Sequence, residues 1–145
     1  MRSFLISTVV LAAATAALAD GHKVPGAHFI ENWDLNGDGQ VSAEETAEKR
    51  AEIFTMFDQD EDGTLNQAEY DLFDETRRAD IVANAGGRKG PMQVVDKAMD
   101  RKFNDLDGDG AVSRAEFDEQ SVKFFEMIDR TGDGMVDAAD FKPKG

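Results

Sequence analysis

Four twelve-residue stretches of this chain carry oxygen-bearing side chains at positions 1, 3 and 5, a glycine at position 6 and an acidic residue at position 12. They span residues 34–45, 58–69, 105–116 and 129–140. Calcium takes six to eight hard oxygen ligands at loosely defined angles, and a loop with this spacing wraps the ion and supplies them. The pattern recurs in two pairs with the same 24-residue offset, which argues against a chance match.

The expected ligands follow one scheme in every loop. Side chains bind at positions 1, 3, 5, 9 and 12, and the backbone carbonyl binds at position 7. The sets are Asp34, Asn36, Asp38, Gln40, Ser42 and Glu45 in loop one; Asp58, Asp60, Asp62, Thr64, Asn66 and Glu69 in loop two; Asp105, Asp107, Asp109, Ala111, Ser113 and Glu116 in loop three; and Asp129, Thr131, Asp133, Met135, Asp137 and Asp140 in loop four.

Loop four differs from the others at its closing position. It ends in Asp140, whereas the other three loops end in glutamate. An aspartate is one methylene shorter, so binding through both of its oxygens is harder. Such a site is weaker for calcium and more tolerant of magnesium. We therefore expect loop four to be the weakest or least calcium-selective site.

The same residue types also favour plain solvated turns, because Asp, Asn and Gly are common in turns without any metal. Each loop, however, carries an aliphatic residue at position 8, which a turn used only as a turn does not need. Paired calcium loops meet at this position through a short two-stranded bridge. The four residues are Val41, Leu65, Val112 and Val136.

Helical periodicity precedes each loop. Before loop four, one helical face carries Phe117, Ser121, Phe124, Phe125 and Ile128. Before loop two the face is Ile53, Phe54 and Phe57, and before loop one it is Phe29, Ile30 and Trp33, in a helix whose first turn contains Pro25. We expect these residues to form the core of a small helical domain.

The helix that enters loop three is expected to run from about Met92 through Val95 and Met99 to Phe103. Asn104 takes the place just before the loop, where the other three loops have an apolar residue. We therefore expect this helix to pack in a slightly shifted register.

The 24-residue offset predicts the architecture. Residues 46–57 and 117–128, which join neighbouring loops, contain neither glycine nor proline, so each should form one continuous helix of roughly 18 to 21 Å. Loops at opposite ends of such a rod cannot bridge each other. Laying the two rods antiparallel pairs loop one with loop four and loop two with loop three. We expect Val41 opposite Val136 and Leu65 opposite Val112, in one compact all-α domain.

Composition limits the function. The formal net charge of −14 excludes nucleic-acid binding and predicts attraction to cations. The chain has no cysteine, so it has neither a disulfide framework nor a thiol metal site. No nucleophile, acid–base pair or open metal position stands out beyond the loops, so we do not expect an enzyme. We expect a monomer.

The N-terminus has the three parts of a secretory signal peptide. Arg2 precedes an uncharged apolar run, and Ala17 and Ala19 provide the small residues of a cleavage site. We expect residues 1–19 to be removed and 20–145 to form the mature domain, periplasmic or secreted and without a membrane anchor. Residues 84–91 are rich in glycine and are expected to form a hinge between the loop pairs. His22 and His28 are expected in a tail or at the surface.

The loops resemble those of EF-hand calcium-binding proteins. Four loops with 24-residue offsets within each pair, in a chain with a secretion signal, are similar to the lanmodulin family of periplasmic lanthanide binders. That resemblance covers nearly all of the expected mature chain and implies pairing of loops one with four and two with three. Lanmodulin loops have proline at position 2 and an acid at position 9. This chain has Leu35, Gln59, Leu106 and Arg130 at position 2, and among Ser42, Asn66, Ser113 and Asp137 at position 9 only Asp137 is acidic.

Three functions fit these observations. The first is a calcium-binding EF-hand protein of the periplasm or the secreted space that holds up to four Ca²⁺, with Mg²⁺ as a competitor. The second is a lanthanide binder, which the acid-rich loops two and three permit. The third is a calcium-dependent regulator that opens an apolar groove for a protein partner.

Overall fold

The computed structural model describes residues 24–84 and 90–143. The helices in this part of the chain are α1 (Ala27–Trp33), α2 (Ala43–Phe57), α3 (Gln67–Asn84), α4 (Pro91–Ala98), α5 (Arg101–Asn104) and α6 (Arg114–Ile128). Two short strands, β1 (Thr64–Leu65) and β2 (Val112–Ser113), form the sheet. The structure is therefore mostly helical. The predicted signal peptide, residues 1–19, lies outside the described residues.

Helices α2 and α6 are the two continuous rods that join neighbouring loops. Each is fifteen residues long and begins with a capping box, in which a serine accepts from the N–H three residues on and a glutamate accepts from the N–H of that serine. The glutamates are Glu45 and Glu116, the closing residues of loops one and three. Cap and loop closure therefore depend on the same side chain.

The predicted apolar face of α6 is buried along its whole length, from Phe117 to Ile128. It packs on α2, where the rings of Phe54 and Phe117 lie 5.6 Å apart. At the other end of the core, Trp33 stacks on Phe124 at 5.1 Å. The core is thus built largely of aromatic residues from the helices that enter and leave the loops.

Loop residues meet across the domain in two places. Strands β1 and β2 pair antiparallel, with Leu65 opposite Val112. Val41 and Val136 form an isolated bridge, with N–H···O distances of 2.8 and 2.9 Å in the two directions. These are the residue pairs that the sequence places opposite each other. Because one contact joins the start of α2 to the end of α6, and the other joins the opposite ends, the two rods run antiparallel.

The prediction of one helix before loop three is wrong. Helix α4 ends at Ala98, Asp100 is extended, and α5 begins at Arg101. The break has a tertiary cause: the Met99 carbonyl accepts hydrogen bonds from the Tyr70 hydroxyl at 2.6 Å and from Arg77 Nη1 at 2.9 Å. Because this carbonyl accepts from two side chains of α3, it does not take part in the backbone hydrogen bonds of a continuous helix.

The first helix begins later than the sequence predicts. Pro25 lies in a turn before α1, and Gly26 caps the helix in the left-handed conformation, with φ 78°. His28 lies within 2.7 Å of Asp80 on α3, side chain to side chain, and so joins the two helices near the surface. No helix of the described part of the chain has the length and apolar character that crossing a membrane requires.

The predicted hinge, residues 84–91, overlaps two helices at its ends. Asn84 is the last residue of α3, and Pro91 is the first residue of α4. Gly90 has φ 60° and precedes the helix as its N-cap. Residues 85–89 lie outside the described residues, so the hinge stays a prediction.

Candidate metal sites in the four loops

Loop two brings four carboxylates together. One oxygen from each of Asp58, Asp60, Asp62 and Glu69 lies within 4.8 Å of all the others. Backbone N–H groups hold the first of them in place, since Gly63 N donates to Asp58 Oδ2 at 2.9 Å and Asp62 N donates to Oδ1 at 3.1 Å. The loop therefore turns four anionic groups toward one small volume.

Loop three groups three carboxylates in the same way, those of Asp105, Asp107 and Asp109. The side chain of the fourth expected acid, Glu116, is hydrogen-bonded to the backbone of the loop. Its Oε1 accepts from the N–H of Leu106 and of Asp107, both at 3.1 Å. Three predicted ligands of loop three thus converge, and the fourth acid is held by N–H groups of the same loop.

Loops one and four repeat this scaffold with a neutral residue at position 3, Asn36 or Thr131. In loop one, Asp34 accepts from the N–H of Gly37, Asp38 and Gly39 at 2.8 to 3.2 Å. In loop four, Asp129 accepts from three N–H groups of its own loop at 2.9 to 3.2 Å. The two loops also touch through side chains, because Gln40 Nε2 lies 3.5 Å from Asp137 Oδ2.

The residue at position 7 follows the same rule in each loop. Its N–H donates to the carboxylate at position 5, at 2.9 to 3.1 Å. The position-7 residues are Gln40, Thr64, Ala111 and Met135. This hydrogen bond fixes the peptide plane beside the residue whose carbonyl is the predicted ligand.

The backbone conformation at position 6 explains why this residue is glycine. Gly63 has φ 80° and Gly110 has φ 86°, in the left-handed region that side chains with a Cβ rarely adopt. A Cβ on either residue would meet no atom within 4 Å. The turn, and not a lack of space, therefore requires glycine.

Position 12 separates loop four from the others. In loops one to three the closing glutamate accepts from the N–H groups at positions 2, 3 and 9. Asp140 accepts from positions 3 and 9 alone, Thr131 and Asp137, both at 2.9 Å. Its side chain is one methylene shorter and forms no hydrogen bond with the N–H of Arg130 in the described part of the chain. Weaker metal binding by loop four stays a prediction.

Two features of the loops were not apparent from the pattern of ligands. The Arg130 side chain at position 2 of loop four folds back, and its Nη1 donates to the Asp140 carbonyl at 2.7 Å. Glu61, at position 4 of loop two, has φ 57°, whereas the other loops have glycine at this position. The repeated glycines at position 4 were the signal that this site needs a left-handed residue.

The electrostatics of the loops suit a cation. Desolvation, together with the carboxylates of Asp62 and Glu69, raises the pKa of Asp60. For Asp107, the hydrogen bond from the Asp109 N–H lowers the pKa, but desolvation and the Asp109 and Glu116 carboxylates outweigh it, so the net pKa is raised. Like charges held this close repel one another, and a bound cation removes that repulsion. The donors are hard oxygens, so the residues fit calcium.

Comparison with known proteins agrees with this geometry. A profile of the EF hand matches residues 31–48, 103–119 and 122–142, and a profile of the EF-hand domain pair matches residues 46–70. Each matched segment contains one of the four loops, and together they make up more than half of the chain. The chain is an EF-hand protein. A curated relative of this EF-hand protein is the probable calcium-binding protein CML31 of Arabidopsis thaliana, 26% identical over an alignment that covers 80% of this chain and 92% of the relative.

Proposed function

We propose that this EF-hand protein binds calcium outside the cytoplasm and holds up to four Ca²⁺, one in each loop. The observation that carries the proposal is the convergence of the Asp58, Asp60, Asp62 and Glu69 oxygens within 4.8 Å of one another. Four anionic oxygens so close together are unfavourable without a cation, and they supply four of the six to eight hard oxygens that calcium takes.

The loops work as two pairs in this proposal, one with four and two with three. The antiparallel strands at Leu65 and Val112 support the second pair, and the bridge between Val41 and Val136 supports the first. All four side chains are buried. A loop that is backed by its partner in this way has less freedom to lose when it closes on an ion.

Calcium is the proposed metal in preference to lanthanides. Hard oxygen ligands accept either ion, but the position-2 residues of these loops and the neutral residues at position 9 of loops one to three differ from the lanmodulin pattern. Loop four is the least selective site, because Asp140 closes it with fewer contacts and Arg130 adds a positive charge beside it.

Calorimetric titration of the purified protein with calcium, magnesium and lanthanum tests the proposal. We expect calcium binding at four sites and a calcium preference over magnesium that is smallest in loop four. A lanthanum preference of many orders of magnitude would support the lanthanide binder instead. The absence of calcium binding in all four loops would refute the proposal.

A matched pair of variants in loop two sharpens this test. Glu69→Gln removes one charge from the closing ligand, which is 6% exposed. Glu61→Gln removes the same charge from an exposed residue of the same loop that is not a predicted ligand. Glu69→Gln should weaken the loop-two site by more than about tenfold, since affinity follows ligand charge and geometry. Equal effects of the two variants would show that general charge, and not coordination by Glu69, attracts the ion.

The proposed compartment is the periplasm or the medium, and it rests on the signal-peptide pattern of residues 1–19. Expression of the full chain in a bacterial host should yield a protein that begins at Asp20 in the periplasmic or extracellular fraction. An Ala19→Lys variant, which removes the small residue before the cleavage site, is the control and should remain uncleaved. An intact Met1 in the cytosolic fraction of the wild type would contradict this part of the proposal.

A second candidate function is a calcium-dependent regulator that binds a partner protein. It is favoured by a cavity of about 290 Å³ between α1, α2, α3 and α4, lined by Phe29, Met56, Phe73, Ile81 and Met92 among others. Met56 at its rim is 68% exposed. A calcium-dependent rise in the fluorescence of a dye that binds apolar surfaces would support this role. Equal dye fluorescence with calcium and with chelator would favour a buffer or structural role.

A further inference from the structure

A buried arginine organises polar side chains inside the core. The Arg50 side chain is fully buried; its Nη2 donates to Asn104 Oδ1 at 2.7 Å and to the Phe117 carbonyl at 2.6 Å, and its Nε donates to Ser121 Oγ at 2.9 Å. Among the described residues, no carboxylate forms a hydrogen bond with this guanidinium. Burial lowers the pKa of Arg50 to about 10, so it remains charged at neutral pH.

Asn104 extends the hydrogen-bond network to Tyr70, the only tyrosine of the chain. Its Nδ2 donates to the Tyr70 hydroxyl oxygen at 3.0 Å, and the hydroxyl donates to the Met99 carbonyl at 2.6 Å. Burial raises the pKa of Tyr70, so the phenol keeps its proton. We call the contact between these side chains the Tyr70–Asn104 bridge. Both residues are completely buried.

Three residues of this network lie next to a predicted metal ligand. Tyr70 follows Glu69, which closes loop two, and Asn104 precedes Asp105, which opens loop three. Phe117, whose carbonyl Arg50 holds, follows the closing residue of loop three. The Tyr70–Asn104 bridge therefore connects the end of one loop to the start of its partner through one directional hydrogen bond.

Within the described residues, the other loop pair has no equivalent hydrogen bond at the same position. The residue before loop one is Trp33, which stacks on Phe29 at 4.8 Å and on Phe124 at 5.1 Å. The residues before loops two and four are Phe57 and Ile128. Apolar contacts are not directional and tolerate small displacements better than a buried hydrogen bond, whose loss leaves a buried polar group without a partner.

We propose that the Tyr70–Asn104 bridge couples metal binding in loops two and three, in addition to the contact between their strands. The inference rests on the proposed calcium function. When Glu69 closes on an ion it fixes the start of α3, and Tyr70 moves with it. The bridge then holds Asn104, and so places Asp105 for the second ion. By linkage, binding in loop three favours loop two by the same factor.

The test is an NMR titration with calcium that follows the position-6 amides of each loop. In the wild type, Gly63 and Gly110 should shift together over one range of calcium concentration. In Tyr70→Phe, which keeps the ring and removes the hydroxyl, their coupling should fall at least about fivefold, the lower end of typical coupling between sites. The shifts of Gly39 and Gly134, in loops one and four, should keep their wild-type midpoints.

Two further variants separate coupling from stability. Asn104→Leu installs an apolar residue like those before the other loops, and it should also lose the coupling. Ser121→Ala removes a hydroxyl from the far side of Arg50, next to no predicted ligand, and it should lower stability while the coupling persists. Full coupling in both Tyr70→Phe and Asn104→Leu, or an equal loss of coupling in Ser121→Ala, would overturn the inference.

The same NMR titration distinguishes failure of this inference from failure of the proposed function. If Gly63 and Gly110 of the wild type do not respond to calcium, loops two and three are not calcium sites and the inference is refuted. If Gly39 and Gly134 do not respond either, the proposed function is refuted as well. If they respond in wild type and variants alike, with unchanged coupling, calcium binding stands and the bridge does not couple the loops.

Discussion

Exchanging the closing residues of loops three and four tests how side-chain length sets affinity. Glu116 reaches three loop N–H groups, those of Leu106, Asp107 and Ser113, at 2.8 to 3.1 Å. Asp140 reaches two N–H groups, both at 2.9 Å. The perturbation is Asp140→Glu in loop four and, as its reciprocal, Glu116→Asp in loop three.

The expected magnitude follows from the number of ligand oxygens. The calcium dissociation constants of EF hands span about six powers of ten, and calcium takes six to eight oxygens. Gaining or losing one of the two carboxylate oxygens at position 12 should therefore change the dissociation constant by roughly one power of ten, or one decade. One decade is about 1.4 kcal/mol. Asp140→Glu should therefore strengthen loop four about tenfold, and Glu116→Asp should weaken loop three about tenfold. Magnesium competition should decrease in loop four, because magnesium demands six-fold octahedral geometry.

NMR titrations that follow the amides of Gly134 and Gly110 measure the two effects separately. Asp140 is 1% exposed, so the added methylene can crowd the core at about 1–3 kcal/mol, and urea unfolding of the metal-free protein monitors that loss. Changes below twofold in both variants, or a weaker loop four in Asp140→Glu with unchanged stability, would refute the argument that length limits closure.

Three further outcomes are expected. Chelation of calcium should lower helical circular dichroism, because the carboxylates then repel one another in every loop, and an unchanged spectrum would contradict metal-coupled folding. Leu65→Ala should lower the free energy of unfolding of the calcium-loaded protein in urea by about 2–5 kcal/mol, because the Leu65 side chain is fully buried. The control Leu106→Ala, at a residue that is 46% exposed, should change it by less than about 0.5 kcal/mol. Equal losses would contradict the role of the strand pair. Gly26→Ala should lower the melting temperature more than Gly90→Ala. Both glycines have positive φ, but of the two only Gly26 lies where a Cβ would overlap the Phe141 ring, so equal shifts would argue against that packing.

Local rules were enough to predict the loops and the rods. Position, charge and glycine spacing define each loop, and a segment of twelve residues without glycine or proline leaves a continuous helix as its simplest structure. The residue pairs Val41 with Val136 and Leu65 with Val112 followed from the same geometry. Chain length between loops therefore carried information about which loops can meet.

The helical periodicity of apolar residues in the sequence did not predict the polar contacts between helices. Arg50 reads as a surface residue in any helical pattern, yet it is buried because Asn104, Ser121 and the Phe117 carbonyl surround it. The break at Met99 likewise depends on donors from α3 that lie far away in sequence. Asn104 was a visible sign of this network, as a polar residue in a place where the other loops have apolar ones.

The most direct test of the central claim is to count the loops that respond to calcium. The amide resonances of Gly39, Gly63, Gly110 and Gly134 report one loop each, and calcium should shift all four in the purified protein, with Gly134 the last to saturate. If none of the four amides responds at millimolar calcium, these loops are acidic turns, and the account of the protein as a calcium binder is contradicted.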